Sequence, residues 1–225
     1  LGAGKTTLIK KLISEAFAGE QIVIIENEFG QIGIDGGFLK ESGVQITEMN
    51  SGCICCSLVG DFGVALKEVI DKFAPDRIII EPSGVGKLSD VIKATESVVS
   101  DDVVLNSFTT VIDATKCKIY LKNFKEFYEN QIAYANTIIL SRTAAIKEEK
   151  LDEAIALIRE INKDATIITT DWDKLDGKQI LSTMEKKNTL SSVIEELEAE
   201  LHHHDEDECD DPDCECHHHH DHDDD

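Results

Sequence analysis

The chain begins with Leu-Gly-Ala-Gly-Lys-Thr-Thr, and this run constrains the fold more than any other segment. Small residues at Gly2, Ala3 and Gly4 allow successive backbone N–H groups to turn around a phosphate. A helix that begins near Lys5 adds its positive end. Lys5 can then reach terminal phosphates, and the Thr6 hydroxyl can bind Mg²⁺. The run predicts a nucleotide-phosphate loop; a glycine-rich turn at a chain end is the alternative.

After this loop, short apolar runs alternate with stretches of helical spacing. The predicted strands are Gln21–Ile25, Val44–Met49, Arg77–Ile80, Phe108–Asp113, Thr137–Leu140 and Ala165–Thr169. The predicted helices are Thr6–Phe17, Leu58–Phe73, Leu88–Val99, Phe124–Ala135, Glu148–Ile161, Lys178–Lys186 and Ser191–Glu200. Strands that alternate with helices indicate βαβ units. We predict an α/β P-loop NTPase fold with a mostly parallel sheet flanked by helices, its first strand missing from this chain.

Charge divides the chain into two parts. The formal net charge is −23, and residues 202–225 contribute 12 acidic side chains, 8 His and 3 Cys without Lys or Arg. Such a segment cannot bury a core. We predict a P-loop domain over residues 1–201 and a disordered His/Asp/Cys-rich tail over residues 202–225. Leu1 falls inside a motif and Asp225 inside a low-complexity run, so we expect a fragment of a longer protein, truncated at its N-terminus.

The composition also excludes several classes of protein. An acidic chain lacks the basic clusters that bind nucleic acid or an anionic membrane. Its longest apolar runs are far shorter than the roughly 18–20 residues that span a bilayer. Seven cysteines, an odd number, favour a reducing compartment, and we predict a cytoplasmic protein. Cys117 stands alone and is predicted to be a partly buried structural thiol.

The segment Ile-Ile-Ile-Glu-Pro-Ser-Gly is the second candidate phosphate site. A predicted strand ends at Glu81, and Gly84 follows three positions later. P-loop sheets place a Mg²⁺-side carboxylate at the carboxyl end of a strand, and Gly84 would offer a backbone N–H to the terminal phosphate. The motif is weak when it stands alone, and an ordinary exit from a strand is the alternative.

Three thiols in four residues form the candidate metal site. Cys53, Cys55 and Cys56 lie in Gly-Cys-Ile-Cys-Cys. Thiolates suit Zn²⁺ and other soft or borderline ions. Because three cysteines leave a tetrahedral set incomplete, the site suits a metal that is loaded and released. A redox pair or buried apolar cysteines are the alternatives.

Acidic residues follow the first predicted strand. Glu26 and Glu28 would lie at the same edge of the sheet as the phosphate loop. They could assist Mg²⁺ or complete the thiol site, or belong to a solvated loop.

The tail carries a second set of metal ligands. These are His202, His203, His204, Cys209, Cys214, Cys216, His217, His218, His219, His220 and His222. Imidazole and thiolate bind Zn²⁺, Ni²⁺ and Co²⁺, so several adaptable sites are expected. A purification tag and a passive acidic tail are the alternatives.

The order GAGKTT, ENEFGQIGID, GCICC and EPSG resembles the CobW-type metallochaperone GTPases, relatives of the urease and hydrogenase accessory GTPases, over about residues 1–200. The resemblance implies a P-loop GTPase that binds Zn²⁺, or Co²⁺ or Fe²⁺, and delivers it to a client. It also implies that Gly2, Gly4, Lys5, Thr6 and Thr7 bind the nucleotide. By the same resemblance, Glu81 and Gly84 form the Mg²⁺ and γ-phosphate switch, and Cys53, Cys55 and Cys56 hold the metal.

One motif departs from the family pattern. The family reads guanine with Asn/Ser-Lys-x-Asp after a buried strand, whereas this chain has Ser141, Arg142, Thr143 and Ala144. A methyl group at Ala144 cannot accept the guanine hydrogen bonds, which carry the discrimination. Ser141 and Arg142 are still predicted to contact the nucleotide, with Arg142 stacking on the base.

The sequence therefore predicts a slow GTP hydrolase that uses GTP with Mg²⁺ and hands Zn²⁺ to a client metalloprotein. Lys5, Thr6, Glu81 and Gly84 are the candidate catalytic residues. Completion of the site by a homodimer or by the client is left open. A metal buffer with a vestigial nucleotide site is the alternative function. A small-molecule P-loop kinase is disfavoured by the low arginine content.

Overall fold

The computed structural model describes residues 2–26, 45–50, 59–82, 84, 86–96, 99–100, 102–185 and 194. For residues 26, 45–50, 59–62 and 65 it describes the backbone alone. Glu28, the thiol motif Cys53–Cys56 and the tail lie outside the described residues. So does the predicted helix Ser191–Glu200, apart from Ile194, which is helical.

Six strands and seven α-helices are formed by the described residues. The strands are β1 Gln21–Glu26, β2 Gln45–Asn50, β3 Arg77–Glu81, β4 Thr109–Asp113, β5 Thr137–Ser141 and β6 Thr166–Ile168. The helices are α1 Lys5–Glu15, α2 Val59–Phe73, α3 Leu88–Glu96, α4 Cys117–Asn123, α5 Lys125–Ala133, α6 Glu148–Ile161 and α7 Gly177–Met184. Short 3₁₀ helices cover Thr143–Ala145 and Trp172–Lys174.

All strand pairs are parallel, as the alternation of strands and helices predicts. The strands form two three-stranded sheets, with the orders β2-β1-β3 and β4-β5-β6. The carboxyl ends of β2, β1 and β3 are in register, because Glu26 pairs with both Asn50 and Glu81. Asp113 pairs with Ser141 in the same way. Side chains at these strand ends therefore meet at one edge of each sheet.

Alternating side chains along the strands bury apolar groups on both faces of the sheets. Ile22 and Ile24 of β1 pack with Leu12 of α1, whereas Val23 and Ile25 pack with α2 and α3. Successive strand residues point to opposite faces, so an all-apolar strand must be covered twice. Residues of β1, β5 and β6 share one core cluster with α1 and α7. Helix α1 therefore packs against both sheets.

A cavity of about 700 Å³ lies between the two sheets. It is lined by every residue of β3 and by most of β4, with Leu8, Ile9 and Leu12 of α1 along one side. Both strands are edge strands in the described part of the chain. This explains why the apolar residues Ile78–Ile80 are only half-buried, whereas the central strand residues Ile138–Leu140 are fully buried.

Two helix predictions need correction. Helix α3 ends at Glu96 instead of Val99, whose N–H donates to the Glu96 carbonyl from outside the helix (3.1 Å). Val99 is β-branched and a weak helix former, which agrees with its place outside the helix. Helix α4, Cys117–Asn123, was not predicted. Among the described residues no helix is long and apolar enough to cross a membrane.

Candidate nucleotide site

The phosphate loop has the backbone that its glycines predict. Gly2 and Gly4 have φ values of 62° and 102°, on either side of Ala3. Alternation of this kind turns consecutive N–H groups toward one side and forms a concave anion site. Gly4 is the N-cap of α1, and its carbonyl accepts from the N–H of Leu8 at 2.9 Å. Among the described residues no side chain caps α1, so its first N–H groups are available to a phosphate.

Three residues predicted to act together converge beside this loop. The Glu81 carboxylate lies at the end of β3 and is only 5% exposed. Its Oε1 atom is 3.6 Å from Lys5 Nζ and accepts a hydrogen bond from Thr6 Oγ1 at 3.4 Å. A buried carboxylate needs such partners, because its desolvation is otherwise costly. The arrangement brings a cation, a hydroxyl and a carboxylate together at the start of α1.

The structure describes the positions of two further residues that were predicted to act at this edge, and of Thr7. Gly84 follows Glu81 in the loop after β3 and lines the cavity together with Lys5. The backbone of Glu26 is in register with Glu81 on the neighbouring strand. Thr7 is exposed in the first turn of α1. Roles for these residues in binding or catalysis remain predictions.

Arg142 connects the loop that follows β5 to the phosphate loop. It follows β5 in a left-handed conformation with φ 59°. Its guanidinium pairs with the Asp113 carboxylate at the end of β4 and donates to the Gly2 carbonyl at 3.0 Å. Asp113 is 1% exposed and also accepts from the N–H and hydroxyl of Thr115. Sequence reasoning missed Asp113, although it ends a strand as Glu81 does.

Ser141 and Ala144 differ in exposure. Ser141 is buried, and its hydroxyl donates to the Ile112 carbonyl at 3.4 Å. Ala144 is exposed in the 3₁₀ helix that follows Arg142. Contact of Ser141 with a nucleotide stays a prediction, as does stacking of Arg142 on a base.

Trp172 is a neighbour of the phosphate loop that the sequence did not reveal. Its ring lies so close to Gly4 that a Cβ atom there would be 2.8 Å from Cη2 and 3.0 Å from Cζ2. The indole also packs against the core cluster that contains Leu8 and Ile9 of α1. As the one tryptophan of the chain, it reports on this site by fluorescence.

We expect Gly4→Ala to destabilise the chain more than Gly2→Ala. Both residues have positive φ, which costs an L-residue about 1–2 kcal/mol, but only Gly4 faces Trp172, whereas nothing lies within 4 Å of a Cβ at Gly2. The added overlap should bring the loss at Gly4 to about 3 kcal/mol. Urea unfolding followed by circular dichroism measures both variants. Replacing Trp172 by Leu should recover part of the Gly4→Ala loss; equal losses at the two glycines would contradict the packing argument.

Cys117 is a buried thiol, as predicted. It is 2% exposed in the core cluster under α4. Burial raises the pKa of its thiol, and a hydrogen bond with Tyr128 lowers it by less. The group is therefore neutral near pH 7, and an uncharged buried thiol is a poor metal ligand. Among the described residues no three potential metal-binding side chains form a cluster.

A glycine loop at the start of a helix, with a lysine, a threonine and a strand-end carboxylate beside it in a parallel α/β fold, defines the P-loop class of nucleotide-binding proteins. Residues 1–169 match the family model described as CobW/HypB/UreG, nucleotide-binding domain. The chain belongs to this family.

Two curated relatives illustrate the similarity. The zinc chaperone YjiA of Escherichia coli (strain K12) is 29% identical over 88% of this chain and 69% of its own length. The zinc-regulated GTPase metalloprotein activator 1 of Schizosaccharomyces pombe (strain 972) is 32% identical over 78% of this chain and 45% of its own length. This chain therefore spans about half to two thirds of the length of the curated relatives it matches.

Solved structures support the fold. The Zn(II)-bound YjiA GTPase from E. coli superposes with a TM-score of 0.56 at 24% identity, over 79% of this chain and 59% of that chain. The hydrogenase maturation factor HypB from Archaeoglobus fulgidus gives a TM-score of 0.53 at 17% identity, over 87% of this chain and 85% of that chain. At these identities the likeness shows the fold alone.

Proposed function

We propose that this chain is the nucleotide-binding part of a metallochaperone GTPase, which binds Zn²⁺ at Cys53, Cys55 and Cys56 and delivers it to a client protein. The observation that carries the proposal is the register of β2, β1 and β3. Asn50, Glu26 and Glu81 are aligned at one sheet edge, and Glu81 is in contact with Lys5 and Thr6 of the phosphate loop. In the sequence, the thiol motif begins three residues after the end of β2.

Chain length limits how far the thiols can lie from the nucleotide edge. Cys53 follows Asn50 by three residues, and three residues span about 10 Å at most. A change in the phosphate loop or in Glu81 can therefore act on the start of the metal motif over a short distance. This proximity supports coupling between the nucleotide state and metal affinity.

The residues beside the loop fit GTP with Mg²⁺. Lys5 would bind the terminal phosphates, and the N–H groups of Gly2–Thr6 would surround them. Thr6 and Glu81 provide hydroxyl and carboxylate oxygens, the ligands that Mg²⁺ prefers. When bound, Mg²⁺ supplies charge neutralisation of the phosphate oxygens. The lysine would leave Glu81 for the phosphates, because phosphate offers it a stronger charge-assisted bond.

We expect intrinsic hydrolysis to be slow. Arginine fingers accelerate hydrolysis in P-loop GTPases, but Arg142 is already occupied by Asp113 and the Gly2 carbonyl. A second copy of the chain or the client would then complete the site. Guanine selectivity is expected to be weak, because Ala144 carries no acceptor for the base.

Relatives support the choice of metal. Curated relatives carry the names zinc chaperone and zinc-regulated GTPase metalloprotein activator, and we propose Zn²⁺ as cargo, with Co²⁺, Fe²⁺ and Ni²⁺ as alternatives. The tail, residues 202–225, is proposed to collect metal. Its acidic charge would concentrate cations near His202–His204 and Cys214–Cys216.

Zinc titration in the presence of different nucleotides tests the proposal. Parent and a Cys53/Cys55/Cys56→Ser triple variant are titrated with Zn²⁺ against a chelating indicator, with GDP, GTPγS or no nucleotide. The difference between the two proteins isolates the thiol site from the tail. We expect its Zn²⁺ affinity to change at least about fivefold between GDP and GTPγS, a coupling of about 1 kcal/mol.

Cys117→Ser is the matched control, since Cys117 is buried in a core cluster that contains no residue of β1, β2 or β3, and the substitution should leave zinc binding unchanged. If no nucleotide alters the zinc affinity of the thiol site, the metal-buffer function is favoured instead. The titration is repeated with ATPγS. If ATPγS changes the zinc affinity of the thiol site as much as GTPγS does, the chain lacks guanine selectivity, as Ala144 predicts.

A further inference from the structure

Helix α5 holds the loop that follows β3, at residues that no motif had singled out. The Gln131 side chain donates from one amide nitrogen to two loop carbonyls, Gly84 at 3.3 Å and Gly86 at 2.8 Å. A single side chain thus fixes two peptide groups of the loop. Two hydrogen bonds to carbonyls two residues apart restrict the conformations of the loop before any ligand binds.

Gln131 is itself held in place. Its backbone carbonyl accepts from the Thr110 hydroxyl of β4 at 2.5 Å, and Thr110 is buried. The next residue, Ile132, is fully buried in the core. The amide therefore extends from a rigid part of the fold, which is what a residue that sets the position of a loop requires.

The same helix contacts the chain just beyond the loop. Asn130 accepts from the N–H of Ser89 at 3.2 Å and donates to its hydroxyl at 2.9 Å. Lys87 and Glu126 form an exposed ion pair at 2.7 Å. In the part of the chain that the structure describes, only Gln131 is hydrogen-bonded to the glycine carbonyls, so its contribution can be separated from general docking of α3 on α5.

We propose that Gln131 is the positioning residue that sets the preference of the site for a nucleoside triphosphate over a diphosphate. The proposal rests on the function proposed above, in which the Gly84 loop faces the terminal phosphate. With its Gly84 and Gly86 carbonyls held by α5, the loop is ordered before a γ-phosphate arrives, so binding the triphosphate costs less conformational entropy. A diphosphate does not reach this loop, so its affinity is independent of Gln131.

The test compares the affinity of the chain for GTPγS with its affinity for GDP. Gln131→Met keeps the length of the side chain and removes both donors. We expect its affinity for GTPγS to fall by about tenfold, since two hydrogen bonds that order the loop are lost, while its affinity for GDP changes by less than about twofold. Isothermal titration calorimetry of the full chain with Mg²⁺ measures both. Gln131→Glu, which has the same shape without the donors, should give the same change in ratio if Gln131→Met is poorly folded.

Asn130→Ala is the control, because it loosens the contact between α5 and α3 without touching Gly84 or Gly86. It should leave the ratio unchanged. If the role of Gln131 were merely structural, its loss would weaken the binding of GTPγS and GDP alike. An unchanged ratio of these two affinities in both Gln131 variants would overturn the inference. A parent chain that binds both nucleotides equally overturns it too. A parent chain that binds neither nucleotide contradicts the proposed function itself.

Discussion

Lys5→Ala is expected to lower the affinity for GTP by about a hundredfold, because it removes a charge-assisted bond to the phosphates worth about 3 kcal/mol. Hydrolysis should fall at least as much, since the lysine also stabilises charge on the transferred phosphoryl group. Trp172 fluorescence and release of inorganic phosphate measure the two effects. The folded state should persist, because Glu81 keeps its hydrogen bond from Thr6.

Lys11→Ala is a matched control on the same helix. Lys11 forms an ion pair with Glu15 at 2.9 Å and lies nearly two helical turns beyond the loop. Pairs of this kind contribute about 0.3–0.5 kcal/mol. Nucleotide binding should be unaffected. A Lys5→Ala chain that hydrolyses GTP as fast as the parent would show that the phosphate loop has been assigned wrongly.

Asn162→Ala is expected to cost about 4 kcal/mol of unfolding free energy, the largest stability effect of a single polar side chain that we predict. Asn162 follows α6 and is 8% exposed. Its amide nitrogen donates to the carbonyls of Ile132, Ala133 and Ala135 at 2.8–2.9 Å. Its oxygen accepts from the N–H groups of residues 164 and 165. Truncation removes the side-chain partner of all five backbone groups, which lie in buried or part-buried contacts.

Asn106→Ala is the comparison for Asn162. Its side chain makes one exposed hydrogen bond, to Glu185 at 2.6 Å, so its removal should cost less than about 1 kcal/mol. Urea unfolding at equilibrium measures both. Similar losses for the two asparagines would mean that water replaces the partners of Asn162, and that the end of α5 is more open than its contacts indicate.

The strands were predictable because their apolar content is unambiguous. Ile22–Ile25 and Ile138–Leu140 are continuous β-branched or aliphatic runs, buried on both faces in parallel sheets. Helix α4 was not, because its seven residues, Cys117–Asn123, have no side-chain cap at either end. Only Cys117 among them is buried, so the segment has little amphipathic pattern.

The site was predictable only where a short sequence motif specifies the chemically active residues. Lys5, Thr6 and Glu81 could be brought together because carboxyl ends of parallel strands share an edge. Gln131, Asp113 and Trp172 act through contacts with residues 29 to 168 positions away in the chain, which no local pattern encodes. A glutamine in the last turn of a helix is commonly solvated, so the hydrogen bonds of Gln131 to Gly84 and Gly86 could be found only from the packing of α5.

The division of the strands into two sheets has a consequence for chain entropy. One sheet is built from residues 21–81 and the other from residues 109–168, so each has mostly sequence-local pairing. The packing of α1 on α7 is a contact between distant parts of the chain, in which Glu15 accepts from the N–H of Gly177 across 162 residues. Closing so long a loop carries the largest entropy cost among these contacts. The phosphate loop, at the start of α1, therefore adjoins the contact that loses the most chain entropy when it forms, among those described.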